Sequence, residues 1–78
     1  MTNKEKYAGT FVNAFEAGRE GVEQAVYQQF PNWDSVGHMS LIAEIEDAFD
    51  IVMDTDDIID LSSYEKGIEI LKKYDIEI

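Results

Sequence analysis

The chain has 78 residues, enough for one domain with one small core. It contains no cysteine, which excludes disulfides, thiolate metal sites and a protein-borne nucleophilic thiol, and its 45% hydrophobic content argues against wholesale disorder. Seventeen acids against six bases give a net charge of −11, which disfavours phosphate backbones and anionic lipid and favours a basic protein patch as partner. The bases sit near the two ends, at Lys4, Lys6, Arg19, Lys66, Lys72 and Lys73. From Glu20 to Glu65 there is no Lys or Arg, while twelve of the seventeen acids fall there. No apolar run approaches the roughly 18 residues of a membrane span, and the first residues do not read as a signal peptide. The expectation is a monomeric, cytoplasmic protein with no nucleic-acid or membrane partner.

No repeat, low-complexity tract or linker divides the chain, so residues 1–78 read as a single domain. The first helix is expected from Thr2 to about Glu16. Thr2 and Glu5 have capping-box spacing, and Tyr7, Phe11, Ala14 and Phe15 share one helical face. Gly18 reads as its C-terminal glycine. Residues 21–33 show no helical period and read as a long loop, held to the core by Val26, Phe30 and Trp33. Val22, Ala25, Val26 and Phe30 allow a short helical turn within it, stopped by Pro31 and Asn32.

The second helix opens at Asp34-Ser35 and runs to Phe49 or Asp50. Asp54 to Leu61 reads as a short third helix with acids in its first turn. Ser62 and Glu65 have capping-box spacing for a last helix through Tyr64, Ile68, Leu71 and Tyr74. The fold class is all-α: a small four-helix bundle with a long loop after the first helix and a short third helix. Phe11, Phe15, Phe49 and Tyr64 are core candidates, and Trp33 either anchors the loop or lines the surface beside Ser35.

On a helical wheel, residues 35–50 show two apolar faces. His38, Leu41, Ile42, Ile45, Ala48 and Phe49 form the core face. Val36, Met39 and Ala43 lie opposite, among Ser40, Glu44, Glu46 and Asp47. An apolar strip rimmed by acids reads as a docking surface, unless Val36 and Met39 pack under the loop or the third helix. Ser35, taken locally, reads as a helix cap, and the free N–H groups and dipole at a helix start also favour an anion there. Asp34 beside it can hold a divalent cation during a phosphoryl-type transfer. Counting a calcium loop from Asp54 puts Ile58 where an acid is needed and Ile59 where glycine is needed, so no specific metal site is expected. His38, the one histidine, lacks a visible orienting partner and reads as a half-buried, neutral residue at the core edge.

The run Trp33-Asp34-Ser35-Val36-Gly37-His38-Met39-Ser40-Leu41 resembles the Asp-Ser-Leu attachment motif of acyl and peptidyl carrier proteins. The downstream Ile45-Glu46-Asp47-Ala48-Phe49-Asp50-Ile51, the acidic short-helix segment and the serine-initiated last helix resemble that family's layout as well. Val36 stands where the motif usually has leucine. Gly37 and His38 replace the acidic continuation of fatty-acid carriers, so the wording is similar to specialised carriers, freestanding or within polyketide and nonribosomal-peptide assembly.

The resemblance implies a 4′-phosphopantetheine arm attached to Ser35 by a phosphopantetheinyl transferase, with Asp34 assisting the magnesium-dependent transfer. The arm would carry an acyl or aminoacyl group as a thioester, presented to loading, condensing or transferring enzymes with basic patches. The chain would then be no enzyme itself. Val36, Met39, Ala43, Glu46 and Asp47 would form the partner-docking face. Apolar residues between the helices, such as Ile45, Phe49, Ile59, Ile68 and Leu71, would be the ones to part around a fatty cargo. The alternative from the residues alone is an unmodified acidic helical adaptor binding a basic protein.

Overall fold

The computed structural model describes residues 2–78. Four helices run in order: α1 (Asn3–Phe15), α2 (Ser35–Phe49), α3 (Thr55–Asp60) and α4 (Tyr64–Lys72). Among the described residues the only extended pairing is an isolated antiparallel bridge between Val26 and Ser63. The architecture is a small all-α bundle with a long first connection and a short third helix.

Local chemistry accounts for the start of α1. The Thr2 hydroxyl accepts the Glu5 N–H at 3.1 Å, and the Glu5 carboxylate accepts the Thr2 N–H at 3.2 Å. These bonds, the backbone one first, hold the Glu5 carboxyl below its usual range. Tyr7, Phe11 and Phe15 are buried in an edge-to-face series, with ring centroids 5.1 and 5.9 Å apart. The helix ends earlier than Gly18: Glu16 takes the left-handed conformation (φ 53°) and sends its N–H to the Val12 carbonyl. The Phe15 carbonyl accepts the Asn32 side-chain amide at 2.8 Å. Glu16 and Ala17, both donating to Val12, thus close the helix locally where the sequence pointed to a glycine, and Asn32 satisfies one further carbonyl from another part of the chain.

The connection from α1 to α2 is more ordered than its sequence implies. Val22–Gln24 form a 3-10 turn, and Val22 and Ala25, three residues apart and so on one side of it, are buried. Those two residues anchor the segment. Val26, expected in that role, is 37% exposed and is held by its backbone instead, its carbonyl accepting the N–H groups of Gln29 and Phe30. Phe30 is half-buried and Trp33 fully buried. The Gln28 N–H meets the Trp33 carbonyl at 2.9 Å and closes the last part of the loop on itself. On either side of the bridge, Tyr27 donates to the Ser62 carbonyl and Tyr64 donates to Ala25. Because the Ser62 carbonyl serves that pairing, the cap of α4 falls one residue later, on Ser63, whose hydroxyl accepts the Lys66 N–H at 3.0 Å.

Gly37 explains how closely this loop can approach α2. A Cβ at Gly37 would lie 1.9 Å from the Asn32 carbonyl oxygen and 3.2 Å from the Phe15 ring. Asn32 takes a left-handed φ of 68° to turn that carbonyl onto the helix, and its side chain ties the loop to Phe15. The obstructing atom is backbone and cannot swing away. Gly37→Ala is therefore expected to destabilise the fold by about 1–3 kcal/mol or more, the usual cost of overpacking, measured as a lower denaturation midpoint at unchanged m-value.

Candidate functional site

The start of α2 is fixed from three directions. From the core side, Trp33 packs its indole against Phe15 (centroids 5.3 Å, stacked) and Phe11 (5.5 Å, edge-on). At the helix end, the Asp34 carboxylate accepts the Gly37 N–H at 2.8 Å. On the third side stands His38. Its Nδ1 lies 3.0 Å from Trp33 Nε1, and its Nε2 lies 2.7 Å from the Ile58 carbonyl oxygen. An indole N–H can only donate and a carbonyl can only accept. Nδ1 is therefore the accepting nitrogen and Nε2 carries the proton, so the half-buried imidazole is neutral, linking the loop before α2 to the backbone of α3.

The cap of α2 is Asp34 and not Ser35. Asp34 has extended backbone and accepts from the third helical residue, whereas Ser35 is the first residue of the helix itself. Ser35 is exposed, and its hydroxyl stands at the positive end of a 15-residue helix without the capping duty its position suggests in the sequence. Asp34 is exposed as well. Trp33, at 1% exposure, is an anchor and does not line an exposed path from Ser35.

Of the five residues expected on the docking face, four are exposed: Val36 at 77%, Met39 at 56%, and Ala43 and Asp47. Val36 and Met39 are thus not covered by the loop or by α3. Glu46 differs. It is half-buried, and its carboxylate accepts the Met53 N–H at 2.9 Å, so it ties down the connection after α2 and is not a free acid on that face. Glu44 accepts the Asn13 side-chain amide at 3.3 Å. Leu41, Ile42 and Ile45 are buried on the opposite side, with Ala48 and Phe49 half-buried.

Two exposed apolar residues escaped the sequence reading, Val52 at 83% and Ile59 at 72%. Ile59 was expected between the helices. The buried positions are instead Asp57 within α3 and Leu61, the residue that caps its end, and Ile59 between them turns outward. The adjacency of Ile58 and Ile59 was the available signal, since neighbours on a helix point about 100° apart. Together with Met39, Ile59 lines an open apolar groove of about 370 Å³, whose other walls are Tyr27, His38, Ile58, Leu61 and Ser62.

Asp57 is the one buried acid described on this side of the protein. One carboxylate oxygen accepts from the Lys73 ammonium and the other accepts the Tyr74 hydroxyl at 2.6 Å. The Tyr74 oxygen in turn accepts the Asp54 N–H at 2.9 Å. The hydrogen bonds from Lys73 and then Tyr74 hold the Asp57 carboxyl below the usual carboxylate range, and the Asp57 bond raises the Lys73 ammonium above its own. Among the described residues no group of three or more acidic or histidine side chains converges to hold a metal ion, and no helix is long and apolar enough to cross a membrane. No protein-family model, characterised protein or solved structure matches the chain.

Asp34→Ala is expected to cost about 1 kcal/mol of stability as the loss of a cap, while Ser35→Ala stays within about 0.5 kcal/mol, both read by urea denaturation. For Asp57 the folded carboxyl titrates below the unfolded one, so its stabilisation is present above about pH 4 and disappears as pH falls through the folded value. Asp57→Asn should therefore melt lower than the wild type at pH 7, and the gap between the two should close on acidification below pH ~4. Lys73 has the opposite sign: its contribution holds below about pH 10.4 and fades as pH rises through its raised folded value.

Proposed function

We propose that the chain is a carrier protein of the acyl or peptidyl type, with Ser35 as the attachment residue for a 4′-phosphopantetheine arm. The observation that carries this reading is the division of labour at the start of α2. Asp34 caps the helix, leaving Ser35 exposed at its positive end with the apolar residues Val36 and Met39 beside it. An esterified phosphate at Ser35 would lie at the helix end that favours an anion, and the hydroxyl is accessible to a modifying enzyme. The arm, when attached, supplies the thiol that a cysteine-free chain lacks.

The chain's own residues would serve as a platform. Asp34 contributes a negative charge beside the attachment hydroxyl, suited to a divalent cation held between this protein and the transferase. Val36, Met39, Ala43 and Asp47 offer a partner enzyme an apolar strip with an acidic rim, and we add Ile59 to that face. A basic patch on a phosphopantetheinyl transferase, or on loading and condensing enzymes, is the complementary surface. In this reading the protein presents a substrate and carries out no turnover of its own, and it works as a monomer in the cytoplasm.

The test is intact mass after incubation with coenzyme A, magnesium and a broad-specificity phosphopantetheinyl transferase. The wild type is expected to gain one phosphopantetheine, and Ser35→Ala none. A wild-type protein that starts and remains unmodified would overturn the carrier reading and leave an acidic adaptor, recognised through the same face by a basic protein.

A further inference from the structure

On the carrier reading above, we infer that this protein keeps its cargo outside the bundle, and that His38 is the positioning residue that holds the bundle shut. The cargo class that follows is a short or polar acyl or aminoacyl group, not a long fatty chain.

The apolar groove between α2 and α3 is lined by His38 and Met39 from α2 and by Ile58, Ile59 and Leu61 from α3 and its C-terminal end. A chain entering the core from this groove has to part α3 from α2. His38 spans that gap, held by the Trp33 indole on one side and bound to the Ile58 carbonyl on the other. Separation would break the bond to the Ile58 carbonyl and leave that carbonyl without its imidazole partner, while the Trp33 bond keeps the ring from following α3.

The far side of α3 is pinned too. Asp57 binds Lys73 and Tyr74 at the end of α4, and Tyr74 holds the Asp54 N–H at the start of α3. A six-residue helix is thus tied to its neighbours by polar contacts on both sides. Behind it the space is taken by Leu41, Ile45, Leu61 and Leu71, each at most 1% exposed. Ile59, expected between the helices, faces solvent. The groove is an outer resting place, and the interior is closed.

The experiment uses the holo protein loaded with saturated acyl groups from acetyl to decanoyl, comparing wild type, His38→Ala and His38→Gln. Melting temperature and the rate of thioester cleavage by hydroxylamine are read for each chain length. For the wild type both are expected to be independent of chain length. His38→Ala should exchange its α3 amides about tenfold faster and acquire a length dependence, with the longer thioesters cleaved more slowly. His38→Gln, which keeps an acceptor and a donor, should behave as the wild type.

A wild type whose melting temperature climbs and whose thioester becomes protected as the chain lengthens overturns the inference, and that result stands even if His38→Ala does not fold. If His38→Ala folds and shows no length dependence either, the assignment to His38 fails. A protein that takes no phosphopantetheine loses the carrier reading and this inference with it, whereas a loaded carrier that shelters decanoyl loses only the latter.

Discussion

The indole of Trp33 is the point on which the fold and the candidate site both depend. It is the largest of the fully buried side chains, and it makes aromatic contacts with both Phe11 and Phe15 of α1. Its single polar atom cannot be left unpaired at that depth, so the N–H needs an acceptor. His38 supplies one, and in doing so is left with a proton on the other nitrogen, aimed at α3. One buried donor thus sets a tautomer, the tautomer sets a second bond, and the second bond places the third helix. Asp34 and Ser35 follow Trp33 directly in sequence, so the same anchor determines where the exposed serine stands.

Charge is arranged with less economy. The acids between Glu44 and Asp60 have no base among them in sequence, and their mutual repulsion works against the compact state. The structure employs some of them. Glu46 accepts a backbone N–H, Glu44 an asparagine amide, and Asp57 pairs with Lys73. Asp47, Asp56 and Asp60 remain exposed, close in sequence to the exposed Ile59 and Met39. These free acids set the field that a basic partner would meet. The fold therefore uses some members of one acidic run and leaves others free at the surface.

Much of this was legible from local rules. The capping box of α1, the extent of α2, the short third helix and the apolar strip at Val36 and Met39 all rest on spacing within a single element. What stayed hidden depends on contacts between elements. The Phe15 carbonyl at the end of α1 is met by Asn32, seventeen residues on, while Glu16 takes the left-handed turn that a glycine would usually make. The cap of α4 moves from Ser62 to Ser63 because Tyr27 engages the Ser62 carbonyl. Gly37, which looks like a departure from a motif, is the clearance for a loop carbonyl. An acid on the inner side of α3 breaks the hydrophobic pattern that predicts burial, and only the approach of Lys73 and Tyr74 permits it.

The identity of the cap has a consequence for the proposed modification. A serine that capped α2 itself would have its oxygen engaged by a backbone N–H, and esterifying that oxygen would disturb the helix start at a cost of about 1 kcal/mol. With the cap on Asp34, the Ser35 hydroxyl can change chemically while the bond from Gly37 remains. The surrounding anchors act in the same direction, since Asn32, Trp33 and His38 hold the helix start without help from Ser35. A residue that must carry a long appendage, and be found by several partners in turn, is best placed where nothing structural rests on its side chain. Ser35 meets that condition because its neighbours bear the structural load.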